Sequence, residues 1–189
     1  MNKKSLLIVI SGPSGVGKGT VIKKLLSDNP DIIPSISVTT RKPRDIDVEG
    51  VTYFFRSREQ FKDMIDNGEL LEWAVYNGNY YGTPRKYVSD SLNDGKDVLL
   101  EIDVQGALNL MENYPSAVYI FIAPENTQVL KERLEKRSTE SPEEIQRRVE
   151  AADWELSKKD LYDNIVINRV VDDAADEILS ILNKRRNSL

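Results

Sequence analysis

Leu6-Leu7-Ile8-Val9-Ile10 runs directly into Ser11-Gly12-Pro13-Ser14-Gly15-Val16-Gly17-Lys18-Gly19-Thr20, and this stretch decides the fold class. A short, continuous, β-branched apolar run reads as a strand buried on both faces of a parallel sheet. Beyond Thr20, the residues Val21, Ile22, Leu25 and Leu26 share one helix face. The segment is therefore strand, glycine-rich turn, helix. Glycines in such a turn let backbone N–H groups converge on phosphate oxygens, and the helix N-terminus adds positive potential. The spacing of Gly12, four residues, then Gly17-Lys18 is nearly the whole phosphate-loop pattern. Lys18 has the reach to meet terminal phosphates. Gly19 stands where Ser or Thr normally offers a hydroxyl to a metal, and Thr20 is the nearest substitute.

Outward from this segment the pattern repeats. Apolar runs recur at 98–102, 118–123 and 165–167, with helical periodicity between them. Residues 104–113 carry Ala107, Leu108 and Met111 on one face, and residues 126–137 carry Val129, Leu130 and Leu134. Residues 173–186 turn Ile178, Leu179 and Leu182 inward and end in Lys184-Arg185-Arg186, where cations suit the helix dipole. Alternating strands and helices predict an α/β fold of three α/β/α layers around a central parallel sheet.

Two stretches break the rhythm. Residues 35–95 are β-rich with polar residues interspersed, and contain a short helix whose Ser57 and Gln60 have capping-box spacing. They predict an inserted mixed α/β subdomain that carries substrate specificity. Residues 126–159 are helical and heavily charged, with a helix start at Ser141-Pro142-Glu143-Glu144. They predict a helical lid. The core is then about 1–34, 96–125 and 160–189.

Composition narrows the chemistry. The 189 residues hold 26 Lys and Arg against 31 Asp and Glu, a net charge of −5, which argues against binding a nucleic-acid backbone. With no His and no Cys, imidazole-based triads, thiolate nucleophiles, disulfides and Cys-rich zinc sites are excluded. A metal would be held by oxygen, which favours Mg²⁺ or Ca²⁺. No apolar run approaches the ~20 residues of a membrane-spanning helix. The expectation is a cytoplasmic protein with no membrane partner, monomeric or homo-oligomeric.

Further candidates lie along the chain. Glu101 and Asp103, at i and i+2, sit at the carboxyl end of an apolar strand, where open α/β sheets bind ligands. Arg41 and Arg44 form a basic island that can grip phosphate or simply face solvent. Arg133, Arg137, Arg147 and Arg148 populate the lid, where arginines can stabilise a transferring phosphoryl group or pair with nearby Glu residues; Arg147 suits the pairing better.

The residues 10–18, Thr39-Thr40-Arg41-Lys42-Pro43-Arg44, Leu71-Glu72-Trp73-Ala74, Gly78-Asn79-Tyr80-Tyr81-Gly82 and Glu101-Ile102-Asp103-Val104-Gln105-Gly106 resemble, in order and spacing, successive signatures of the guanylate kinases. The resemblance extends over residues 5–185 and implies Mg²⁺-dependent transfer of the γ-phosphoryl group of ATP to GMP or dGMP, in purine nucleotide metabolism. It implies that ATP lies on Gly12, Pro13, Ser14, Gly15, Val16, Gly17, Lys18, Gly19 and Thr20, with Asn168 at adenine. Arg41, Arg44, Tyr53 and Tyr81 would hold the GMP phosphate, while Ser37, Glu72, Thr83 and Asp103 would surround guanine. Lys18, Arg41, Arg133, Arg137 and Arg148 would be catalytic, and Thr20 and Glu101 would serve the metal, directly or through water. Three positions depart from the family's usual residues: Glu101 for Asp, Ser138 for Gly and Arg169 for an acid.

Hydrogen-bond chemistry agrees with the base. Guanine offers N1–H and an amino group as donors and O6 as an acceptor, matching two carboxylates and one hydroxyl. Adenine, with an acceptor at N1, would leave Glu72 facing a lone pair. A kinase for another small acceptor, such as AMP, and a non-enzymatic phosphopeptide-binding module of the same fold are the rival readings.

Overall fold

The computed structural model describes residues 5–76, 78–128, 130, 132 and 142–188. Its main sheet is parallel throughout, in the order β2 (Ile32–Pro34), β7 (Asp97–Glu101), β1 (Leu7–Ser11), β8 (Val118–Ala123) and β9 (Asn164–Ile167). Strand β1 is central and wholly buried. Leu6, Ile8 and Ile10 pack with Val21, Ile22 and Leu25 of α1 (Lys18–Asp28) and with Ile178 and Leu182 of α6 (Val171–Asn187). Leu7 and Val9 face the opposite layer, against Ala107 and Leu110 of α4 (Val104–Asn113) and Val88 of α3 (Arg85–Asn93). Two apolar faces on one strand are why its sequence is continuous rather than alternating.

The second sheet is built from residues within 35–95, in the order β4 (Phe54–Phe55), β3 (Val38–Thr39), β6 (Asn79–Pro84) and β5 (Leu70–Tyr76). It packs Val38 and Leu70 against Phe61 of α2 (Arg58–Asp66). Both arms of the capping box are made: the Gln60 N–H donates to Ser57 Oγ at 3.1 Å, and the Ser57 N–H donates to Gln60 Oε1 at 2.8 Å. Strands β5 and β6 form an antiparallel hairpin whose register slips between Leu70 and Trp73. That bulge leaves Leu70, Leu71 and Glu72 buried in succession, which simple alternation forbids.

Helix α5 (Pro142–Leu156) supplies Ala152 to the face shared with α1 and α6. Ser141, its expected N-cap, and most of the expected 126–137 helix lie outside the described residues. Among the described residues, no helix is long and apolar enough to cross a membrane.

Composition did not single out one residue of the frame. Asp97 opens β7, is fully buried, accepts the Leu6 N–H at 2.8 Å and pairs with Arg186 of α6. It joins the first strand and the last helix across the sheet. Removing a carboxylate that holds a partly buried cation and a buried amide costs about 3 kcal/mol. Asp97→Ala is expected to lower the thermal midpoint by roughly 6–10 °C, measured by calorimetry, with nucleotide affinity retained below the transition.

Candidate functional site

The chain leaves β1 at Ser11 and turns at once. Gly12 has φ 146°, and a Cβ there would lie 2.2 Å from the Ile122 carbonyl oxygen of β8, so no larger residue fits. Gly17, at φ 95°, precedes α1 and puts no side chain over its first turn. The Thr20 N–H turns back to the Gly17 carbonyl at 3.1 Å, whereas the N–H groups of Lys18 and Gly19 have no preceding helical turn to pair with and can meet an anion. Asn168, just after β9, is buried, and its side-chain amide donates to the Val16 carbonyl at 2.8 Å. It braces the loop from beneath.

The register aligns Ile10 with Glu101, so the end of β7 lies beside the loop. A cavity of about 450 Å³ opens there. Gly12, Ser14 and Lys18 of the loop line it together with Glu101, Asp103 and Glu155, and with Ser37, Tyr53, Glu72 and Tyr81 from residues 35–95. The main sheet supplies the first group and the second sheet the last.

Lys18 lies back on the loop, donating to the Gly12 carbonyl at 2.5 Å and the Pro13 carbonyl at 3.2 Å. Burial pushes its ammonium below its ordinary pKa, against the pull of Glu155, Glu101 and Asp103. Burial in turn raises all three acids. Glu155, on α5, accepts the Ser14 N–H at 3.2 Å. Sequence reading did not single it out, because nothing in a helix rich in Glu marks the one that turns inward. Among the described residues lining the cavity Lys18 is the one cation.

Glu72 is almost fully buried, and burial pushes its carboxyl up to about 7. The Thr83 hydroxyl donates to its Oε1 at 2.6 Å. Thr83 has no exposed surface and is absent from the cavity lining, so it meets Glu72 and not the open space. Asp103 caps α4, accepting the Gly106 N–H at 2.7 Å.

Arg41 is committed to a neighbour. Its guanidinium pairs with Asp47 at 2.9 Å and lies over the Tyr53 ring, 5.2 Å from the centroid. The Arg44 N–H also donates to Asp47, at 2.7 Å, and this is the largest of the effects that hold that carboxylate below its usual range. Asp47 thus ties together the basic island, a tie the spacing of the sequence did not reveal. The Arg44 side chain is exposed. Tyr53 and Tyr81 meet edge to face at 6.1 Å, and burial keeps the Tyr53 hydroxyl protonated by raising its pKa. Arg133 and Arg137 lie outside the described residues; Arg148 is on α5 and half-buried.

The donors available to a metal are oxygens, and they fit a hard divalent cation. Glu101 Oε1 lies 3.8 Å from where a Gly19 Cβ would stand, close to the loop position that usually carries a hydroxyl. Thr20 is exposed on the first turn of α1. Among the described residues no cluster of three or more His, Cys, Asp or Glu forms a metal cage.

Residues 4–185 match the family model described as guanylate kinase. The guanylate kinase of Bacillus subtilis (strain 168) is 50% identical over 183 residues, covering 96% of this chain and 90% of that protein. That of Oceanobacillus iheyensis is 47% identical over 182 residues, covering 96% and 88%. The crystal structure of guanylate kinase from Anaplasma phagocytophilum superposes with a TM-score of 0.81 at 36% identity, covering 97% of this chain and 87% of that one.

The burial of Glu72 has a measurable consequence. The folded protein keeps its proton up to about pH 7, whereas the unfolded chain releases it near 4.5. The native state therefore binds more protons across that window, and stability falls as pH rises through it. Glu72→Gln, neutral and of the same shape, is expected to be more stable than the parent at about pH 8 by an amount of the order of 3 kcal/mol. Near pH 4 the two should unfold together, which denaturation at both pH values will check.

Proposed function

The chain belongs to the guanylate kinase family, and from that premise we propose which of its residues carry the family's reaction. The enzyme is an ATP:GMP phosphotransferase, moving the γ-phosphoryl group of ATP to GMP to give ADP and GDP. The observation that carries the residue assignment is one cavity lined both by the glycine-rich loop with Lys18 and by two acceptors, the buried Glu72 and the half-buried Asp103.

ATP is assigned to residues 12–20, its phosphates on the loop amides and on Lys18. Asn168 is assigned to the adenine side; its bond to Val16 supports a bracing part as well. GMP is assigned to the second sheet, and residues 35–95 are read as its subdomain. Glu72 and Asp103 accept from the guanine N1–H and amino group, and Ser37 donates to O6. Thr83 holds Glu72. Tyr53, Tyr81, Arg41 and Arg44 take the GMP phosphate, with Asp47 keeping Arg41 in place.

A GMP phosphate oxygen attacks the γ-phosphorus in line, the bond from that phosphorus to the β,γ-bridging oxygen breaks, and ADP departs. Positioning and charge neutralisation do most of the work, so the lack of His is no obstacle. Lys18 neutralises charge on the transferred group. Residues 126–159 are read as the lid, bringing Arg133, Arg137 and Arg148 to the phosphates and excluding water. Three carboxylates around one lysine leave the cavity short of positive charge for two phosphorylated ligands. This supports a need for Mg²⁺ with ATP, which Glu101 and Thr20 would hold, in part through water. Bound there, Mg²⁺ would neutralise β- and γ-phosphate charge. Intracellular nucleotide substrates support a cytoplasmic site of action.

A coupled assay of ADP release is expected to show GMP preferred over AMP by about 10⁴-fold in kcat/KM, the scale of a mismatch at buried polar groups. Preference for AMP would refute the roles given to Glu72 and Ser37. Lys18→Ala should lower kcat by about 10²–10³-fold with the thermal midpoint preserved; near-normal turnover would remove Lys18 from the mechanism.

A further inference from the structure

Glycine is a poor helix residue, yet Gly106 lies in the first turn of α4, buried, with no positive φ to justify it. Alanine would suit the backbone better. The obstruction is elsewhere: a Cβ at this position would lie 2.6 Å from Glu72 Oε2, 3.4 Å from Glu72 Cδ and 3.4 Å from Asp103 Oδ1. These three nearest atoms all belong to the two carboxylates assigned to the base. The Gly106 N–H also donates to Asp103 Oδ1 at 2.7 Å.

We propose that Gly106 is the specificity-determining positioning residue of the guanine site: its amide anchors Asp103, its missing side chain seats Glu72, and together they set the spacing of the two acceptors. The proposal rests on the assignment of those acids to the guanine donors. The Thr83 hydroxyl holds one oxygen of Glu72, and the space beside Gly106 receives the other. The carboxylate is thus clamped between β6 and α4. A methyl group at position 106 pushes Oε2 back by about 0.8 Å to reach ordinary contact at 3.4 Å. The obstacle is the far end of a side chain and not backbone, so the fold absorbs the change while the acceptor leaves its place. Displacements of this size at a positioned group cost up to about 10²-fold.

The test is a double-mutant cycle on the full chain with Gly106→Ala, Glu72→Ala and the double variant, reading KM for GMP and for ATP together with the thermal midpoint. Gly106→Ala is expected to raise KM for GMP at least about tenfold, leave KM for ATP within about twofold, and keep or raise the thermal midpoint. In the Glu72→Ala background the same methyl group should add nothing, because the atom it displaces is gone. Unchanged GMP affinity in Gly106→Ala overturns the proposal, and so does an equal loss in both backgrounds. A lowered midpoint with GMP and ATP weakened alike also overturns it, since that marks a purely structural glycine. If Glu72→Ala itself leaves KM for GMP untouched, the base assignment fails and the inference falls with it. If Glu72→Ala weakens GMP and Gly106→Ala does not, the inference alone fails.

Discussion

Strand β1 is buried on both faces and hydrogen-bonded along both edges, by β7 on one side and β8 on the other. The rest of the site follows from that confinement. The chain emerging at Ser11 meets the Ile122 carbonyl so closely that only glycine can follow, and a glycine-rich turn leads from there into α1. The pairing of β1 with β7 puts Glu101 and Asp103 beside that turn, as the carboxyl ends of parallel strands at a topological switch point require. The apolar energy invested in the two helical layers is what holds a polar crevice open at their rim.

The crevice is electrostatically unfinished by itself. One lysine faces Glu101, Asp103 and Glu155, each raised by burial, and Glu72 lies further in with its carboxyl near neutrality. Such a cluster costs stability that a well-packed apolar core would not. On the proposed reading, guanine donors would satisfy Glu72 and Asp103, and a nucleotide-borne cation the acids near the loop. The Thr83 hydroxyl and the Gly106 N–H fix Glu72 and Asp103 beforehand, so that on this reading little reorganisation is left for binding.

Much of this was legible from residue order. The strands at 118–123 and near 98 and 165, the helix at 104–113 and the Ser57–Gln60 cap lie where periodicity and capping placed them, because each is a local signal of packing or hydrogen bonding. The glycine-rich turn between β1 and α1 was legible for the same reason: its glycines, lysine and flanking elements are contiguous. The hairpin of β5 and β6 was not, since its bulge breaks the alternation by which strands are recognised. The short edge strand β2 was also missed; three residues carry too little pattern.

By itself, then, the sequence determined the layers, the loop and the kinds of donor and acceptor present, since those depend on neighbours a few residues apart. Only the tertiary structure decided which of many acids turn inward. Asp47 binds the arginine six residues before it, Glu155 reaches a loop amide 141 residues away, Asp97 joins the first strand to the last helix, and Gly106 makes room for a carboxylate on another sheet. Apart from Asp47, whose bond to Arg41 closes a single loop, each of these is a contact between segments that the chain brings together only by folding. A carboxylate's role is set by what surrounds it once water is gone, which no local pattern encodes.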